Sequence, residues 1–79
     1  MVIVNLFAGM AESAGTRRLD LEWTGGSVAE LRRRIGDRIP AIAELLARSA
    51  VAVGNSYAAD ADQVPGEADV AIIPPVSGG

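Results

Sequence analysis

The stretch "SVAELRRRIGDRIP", residues 27 to 40, limits the fold more than any other part of the chain. Ser27 can accept from an early backbone N–H while Glu30, three residues on, reaches back to it, which is a capping box. Val28, Leu31, Ile35 and Ile39 then recur at helical spacing and form one apolar stripe, with the arginines on the opposite side. Gly36 weakens this helix by about 1 kcal/mol relative to alanine. Pro40 ends it by biasing Ile39 away from helical geometry. One substantial helix therefore carries a single apolar face that needs a cover.

The cover is written on both sides of it in the two-residue period of strands. In residues 2–7, Val2, Val4 and Leu6 share one face and Ile3, Asn5 and Phe7 the other, which suits a central strand or one with a face kept for a partner. "AGMAESAG" (8–15) reads as a short helical turn or loop closed by Gly15. "RRLDLEW" (17–23) alternates cleanly, with Leu19, Leu21 and Trp23 inward, so residues 2–23 form a hairpin with an elaborated connection. Gly25-Gly26 reads as a turn. Residues 41–48, with Ile42, Leu45 and Leu46, make a second helical segment. Val51 and Val53 mark a strand over 49–53, and Gly54-Asn55 turns it into another beginning near Tyr57. "ADADQVPGEAD" (59–69) reads as loop, and "DVAII" (69–73) as the last strand. These elements predict an α+β fold of the ubiquitin-like β-grasp type. Its mixed sheet has four to five strands, the first and last parallel at the centre, with the main helix packed across one face.

Composition narrows what such a domain can do. A chain of 79 residues makes one small domain, and it has no cysteine, no histidine and no lysine. No thiolate nucleophile, Cys-based metal site or neutral-pH imidazole is on hand. Asp60 and Asp62 fail the spacing of a calcium loop, so no metal site is expected. The net charge of −3 speaks against nucleic acid, which favours clustered basic charge. Arg32, Arg33, Arg34 and Arg38 read as a solvated helix face, or as a docking patch for an acidic partner. "MVIVNLF" lacks a basic leader and is too short to span a membrane, so a cytoplasmic protein is expected.

The residues after the last strand carry the functional signal. Pro74 and Pro75 lock φ near −65° and donate no hydrogen bond, so the sheet ends there. Residues 1–75 form the domain and 76–79 a flexible reactive tail. Val76, Ser77, Gly78 and Gly79 are slender, and at about 3.3–3.6 Å per residue they reach at most about 13 Å, enough to enter a partner's narrow cleft. A free carboxylate is a poor electrophile until a partner enzyme adenylates it with ATP. Sulfur attack on that acyl carbon then leaves a thiocarboxylate, and amine attack leaves an amide. Neither needs histidine, cysteine or lysine in this chain.

"VNLFA", "SVAELR" and above all the terminal "PPVSGG" resemble the small, sulfur-carrier subunit family of molybdopterin synthase. That family sits with the thiamin sulfur carrier among ubiquitin-like β-grasp proteins. The resemblance implies that Gly79, preceded by Gly78, is adenylated by a ubiquitin-activating-like adenylyltransferase and converted to a thiocarboxylate by a sulfur donor system. The tail would then enter the large catalytic subunit of molybdopterin synthase and give its sulfur to a cyclic pterin precursor, in molybdenum cofactor biosynthesis. It implies no bound cofactor, ATP consumed by the activating partner, and two small subunits flanking a dimer of large ones. The small subunit is not catalytic alone. Phe7, Tyr57 and Ile73 match apolar docking positions, with Pro74, Pro75, Val76 and Ser77 leading into the partner. Two positions depart from the family pattern: Gly54 precedes Asn55 in the turn, and Ala11 stands before Glu12 where arginine is common. Three other readings remain: a sulfur carrier for thiamin or cysteine synthesis, a ubiquitin-like protein modifier, and a binding module with an idle tail.

Overall fold

A computed structural model describes residues 1–75. In chain order it contains β1 (Val2–Leu6), α1 (Ala8–Ala14), β2 (Arg18–Leu21), β3 (Gly26–Ser27) and α2 (Val28–Arg38). A 3-10 turn over Pro40–Ile42 leads into α3 (Ala43–Ala47), then β4 (Ala50–Val53), β5 (Ser56–Ala58), β6 (Gln63–Val64) and β7 (Ala68–Ile73). The two-residue alternation in the sequence sets the sheet: Val2, Val4 and Leu6 are buried while Ile3 and Asn5 are half-buried on the other face. β1 pairs antiparallel with β2 and parallel with β7, and β7 continues antiparallel through β4 to β5. The resulting five-stranded order is β2-β1-β7-β4-β5, with the first and last strands side by side at the centre. This is the mixed β-grasp sheet that the sequence pattern implies.

α2 covers one face of that sheet because its stripe is the one read from the sequence. Val28, Leu31 and Ile35 are buried, joined by Ile42 and Leu46 from the segment beyond Pro40 and by Met10 from α1. Burying an aliphatic side chain of this size contributes about 1.5–3 kcal/mol, so this shared core dominates the stability of so short a chain. Both halves of the capping box form: the Glu30 N–H donates to Ser27 Oγ at 3.1 Å, and the Ser27 N–H donates to Glu30 Oε1 at 3.3 Å. The two preceding donors are used as well. Val28 N–H donates to the Asp62 carbonyl at 2.9 Å, and Ala29 N–H to the Asp60 carbonyl at 3.0 Å. The helix start is therefore closed by the 60–62 loop rather than open to an anion.

Two readings of the sequence need correction. Gly25-Gly26 is not simply a turn: Gly25 takes a left-handed φ of 118°, but Gly26 enters β3. The stretch 59–69 is not all loop, because it contains β6, which pairs with β3 through Gly26↔Val64 and Ser27↔Gln63. Trp23 explains both. Its buried indole Nε1–H donates to the Val64 carbonyl at 3.1 Å, and a Cβ on residue 26 would stand 3.0 Å from its Cζ2. The ring thus demands glycine at 26 and draws Val64 into the core. A ladder two residues long carries no detectable periodicity.

Gly36 costs helix propensity with little steric reason. A Cβ there would meet Ala43 Cβ at 3.5 Å, an ordinary contact. We expect Gly36→Ala to stabilise the fold by about 0.5–1 kcal/mol in denaturant titration. A net loss would show that α2 and α3 are spaced by the missing methyl.

Candidate functional site

The last strand delivers the tail. In β7 the pleat turns Ile72 into the core, fully buried, and leaves Ile73 half-buried on the opposite face. Pro74 is half-buried and Pro75 exposed, so exposure rises over the two residues that follow Ile73. Val76, Ser77, Gly78 and Gly79 lie outside the described residues.

Phe7 lies beside that exit. Its backbone is extended, with φ −125° and ψ 156°, so it continues the alternation of β1 past Ile3 and Asn5 onto the sheet face that no helix covers. Its side chain is 50% exposed. Phe7 and Ala8 line one side of a groove whose other sides are Leu45 of α3 and Ile73, Pro74 and Pro75. None of these side chains titrates or can act as a nucleophile, so the groove supplies shape and apolar surface only.

Tyr57 is 74% exposed on the edge strand β5. It stands opposite Ala52, which stands opposite Ala71, which stands opposite Asn5, so these four share the uncovered face with Phe7 and Ile73. The three apolar residues singled out from the sequence are therefore outside the core. Phe7 and Ile73 meet in the groove; Tyr57 lies farther out, across a flat stretch paved by Ala52 and Ala71. Leu45 and Ala8 join the groove without having been singled out. Helical period separates Leu45 from buried Leu46 by about 100°, and that offset was its available signal.

The charged side of the same face lies at the other edge, where Arg18 Nε donates to Asp20 Oδ1 at 2.8 Å. That hydrogen bond, and then the aspartate's charge, push the Arg18 pKa up. This leaves an already charged group charged, so no proton chemistry follows. The arginine row on α2 is not one uniform surface either. Arg32 donates to Asp60 Oδ1 at 2.9 Å and to the Leu46 carbonyl at 2.6 Å, tying α2 to α3 and to the loop that closes its own start. Arg34 stacks over the Trp23 ring at 5.7 Å. Arg33 and Arg38 remain exposed. Asp62 Oδ2 accepts from the Ala59 N–H at 2.8 Å, so both loop aspartates are engaged within the fold.

Backbone geometry at this corner is unusual. Ala8 has φ 50°, the sole left-handed non-glycine among the described residues. That conformation costs an L-residue about 1–2 kcal/mol. Among the described residues, no helix is long and apolar enough to cross a membrane.

Comparison with solved structures finds the same architecture elsewhere. SAMP1 from Haloferax volcanii superposes with a TM-score of 0.78 at 26% identity, covering 99% of this chain and 98% of that one. A molybdopterin converting factor, subunit 1, so described from Pyrococcus furiosus, gives 0.83 at 25% identity, with 95% and 97% covered. The small archaeal modifier protein 1 of Methanosarcina acetivorans gives 0.81 at 23% identity, a likeness of fold, with 99% and 95% covered. No curated protein matches the sequence. The model of the ThiS family matches residues 4–79, from the second buried valine of β1 through the Gly-Gly pair. A β-grasp body whose central strand runs out into Pro-Pro beside an exposed phenylalanine, matched over that whole span, makes this chain a member of the ThiS family of ubiquitin-like sulfur carriers.

Proposed function

We propose that this chain is the sulfur-carrier subunit of a molybdopterin synthase. The carrying observation is that "PPVSGG" follows directly on the central strand of a ThiS-family body, next to an apolar groove with no chemistry of its own. The likeness to the Pyrococcus furiosus converting factor supports the choice of pathway. In this reading residues 1–75 are a rigid handle and 76–79 the reactive tail.

The terminal carboxylate of Gly79 attacks the α-phosphate of ATP on an adenylyltransferase, and pyrophosphate leaves. A sulfur donor attacks the acyl carbon, AMP leaves, and a thiocarboxylate remains. Inside the large subunit that sulfur passes to a cyclic pterin precursor, and water restores the carboxylate oxygen. Gly78 and Ser77 are narrow enough for the channel, and Phe7, Ile73 and Tyr57 dock the body against its rim.

The test is intact mass spectrometry after incubation with ATP, a sulfur donor and the activating enzyme, followed by a pterin-conversion assay with the large subunit. Replacement of one oxygen by sulfur and conversion of the pterin support the proposal. Thiocarboxylate without pterin conversion moves the carrier to another pathway. The likeness to SAMP1 favours one second reading, a protein modifier, in which an amine captures the acyl carbon; a protein conjugate in the same incubation would select it.

Docking gives a separate expectation. Phe7→Ala should weaken binding to the large subunit by about 1–2 kcal/mol, roughly five- to thirtyfold. Tyr57→Ala, farther from the tail, should cost less. Both side chains are exposed, so thermal stability should shift by less than about 0.5 kcal/mol. Calorimetric titration beside thermal melts separates the two effects.

A further inference from the structure

We infer that Ala8 is a positioning residue: its left-handed backbone holds Phe7 in strand geometry at the groove rim while the chain turns at once into α1. The inference rests on the docking role proposed for Phe7 and names what keeps that side chain in place.

Both neighbours of this corner are fixed by the core. Leu6 is buried and its N–H donates to the Arg17 carbonyl at 2.9 Å; Met10 is fully buried four residues later. Between them the chain must change from an extended to a helical course. The Phe7 carbonyl accepts from both the Met10 N–H, at 3.1 Å, and the Ala11 N–H, at 3.3 Å, so helical bonding begins on Phe7 itself. Phe7 nevertheless stays extended, and the whole change of direction falls on Ala8, with φ 50°.

A glycine was at hand to absorb it. Gly9 follows directly, yet its φ is not positive, and a Cβ there would meet nothing within 4 Å. The fold thus places the left-handed turn on the residue that resists it, one position before the residue that would accept it freely. Moving the turn to Gly9 would carry Phe7 and Ala8 together out of their present course. Strain that persists beside an interface residue is the pattern expected of pre-organisation. Glycine at 8, followed by Gly9, would give the corner two adjacent residues free to take either sign of φ, and so alternative courses for Phe7.

The experiment compares Ala8→Gly with a chemically synthesised full chain in which Ala8 is replaced by D-alanine, whose preferred φ is positive. Ala8→Gly should melt no lower than the parent chain yet bind the large subunit about two- to tenfold more weakly, the cost of ordering one side chain anew. The D-alanine chain should bind more tightly than Ala8→Gly, because it keeps the corner's positive φ even though it moves the methyl that lines the groove. In a Phe7→Ala background, Ala8→Gly should change affinity no further, because a positioning residue acts through the side chain it positions. Unchanged binding by Ala8→Gly, equal weakening by D-alanine, or an undiminished effect without the Phe7 ring would each overturn the inference. If the parent chain fails to bind the large subunit, the docking reading falls. Carbon-13 relaxation of the Phe7 ring in the free chain then decides: greater ring mobility in Ala8→Gly alone supports positioning, and equal mobility refutes it.

Discussion

A chain lacking Gly78 and Gly79 should fold as the parent does and form no thiocarboxylate at all. Among the described residues the buried side chains lie between Val2 and Ile72, and every strand and helix ends by Ile73, so the deletion leaves all of these in place. Its effect on unfolding free energy should stay within about 0.5 kcal/mol, the usual range for changes away from packed residues. Chemistry is a different matter: under the proposed carrier function the chain would end at the Ser77 carboxylate, two residues short of the carbon to be adenylated, and no side chain offers a substitute. Under the same proposal a chain with one alanine appended after Gly79 should fail in the same assay, since its terminal carboxylate is displaced by one residue. Sulfur incorporation by the truncated chain, measured as intact mass, would place the reactive group elsewhere and end the carrier reading.

Trp23→Ala is expected to be the most damaging substitution in the body. Large aromatic truncations in a core cost about 3–5 kcal/mol, against roughly 4–12 kcal/mol for a 79-residue domain at the usual stability per residue. For a domain of this size that corresponds to a fall in Tm of about 15–30 °C. The side chain is more than packing here. It fills the space over Gly26, supports Arg34, and donates to the carbonyl of Val64, so its loss frees the β3–β6 ladder as well. Trp23→Phe should separate these roles: the ring remains, the indole donor goes, and the cost should drop to about 1–2 kcal/mol. Circular dichroism melts of the two variants measure the difference, and equal losses would mean that the hydrogen bond, not the ring, anchors the ladder.

Much of this fold could be read from the sequence because its signals are long or chemically specific. Val2, Val4 and Leu6 alternate over enough residues to declare a face, and Ser27 with Glu30 marks the start of α2 through two named hydrogen bonds. Gly54-Asn55 likewise closes a two-residue hairpin between Val53 and Ser56, with Gly54 at φ 63°. The missed features share a different cause: each depends on a contact distant in sequence. Nothing near Val64 says that a tryptophan 41 residues earlier will bond its carbonyl. Arg32 looks like its neighbours Arg33 and Arg34 until Asp60 and the Leu46 carbonyl are brought to it. Ala8 is the sharpest case, because local preference alone would have put the left-handed turn on Gly9. For the candidate site, the sequence singled out Phe7, Tyr57 and Ile73 one by one, and their position outside the core agrees with that reading; the groove that joins Phe7 to Ile73 through Leu45 depends on residues far apart in the chain.

The parallel pairing of β1 with β7 ties residues 2–6 to residues 68–72. During synthesis the sheet's middle position therefore stays vacant until the last of the described strands has emerged. Topologies dominated by such distant partners fold on the slower, millisecond-to-second side, because closure of the long intervening segment precedes its reward. Half-made copies would own a helix and hairpins but no seated β7, and so no strand for β1 and β4 to close around.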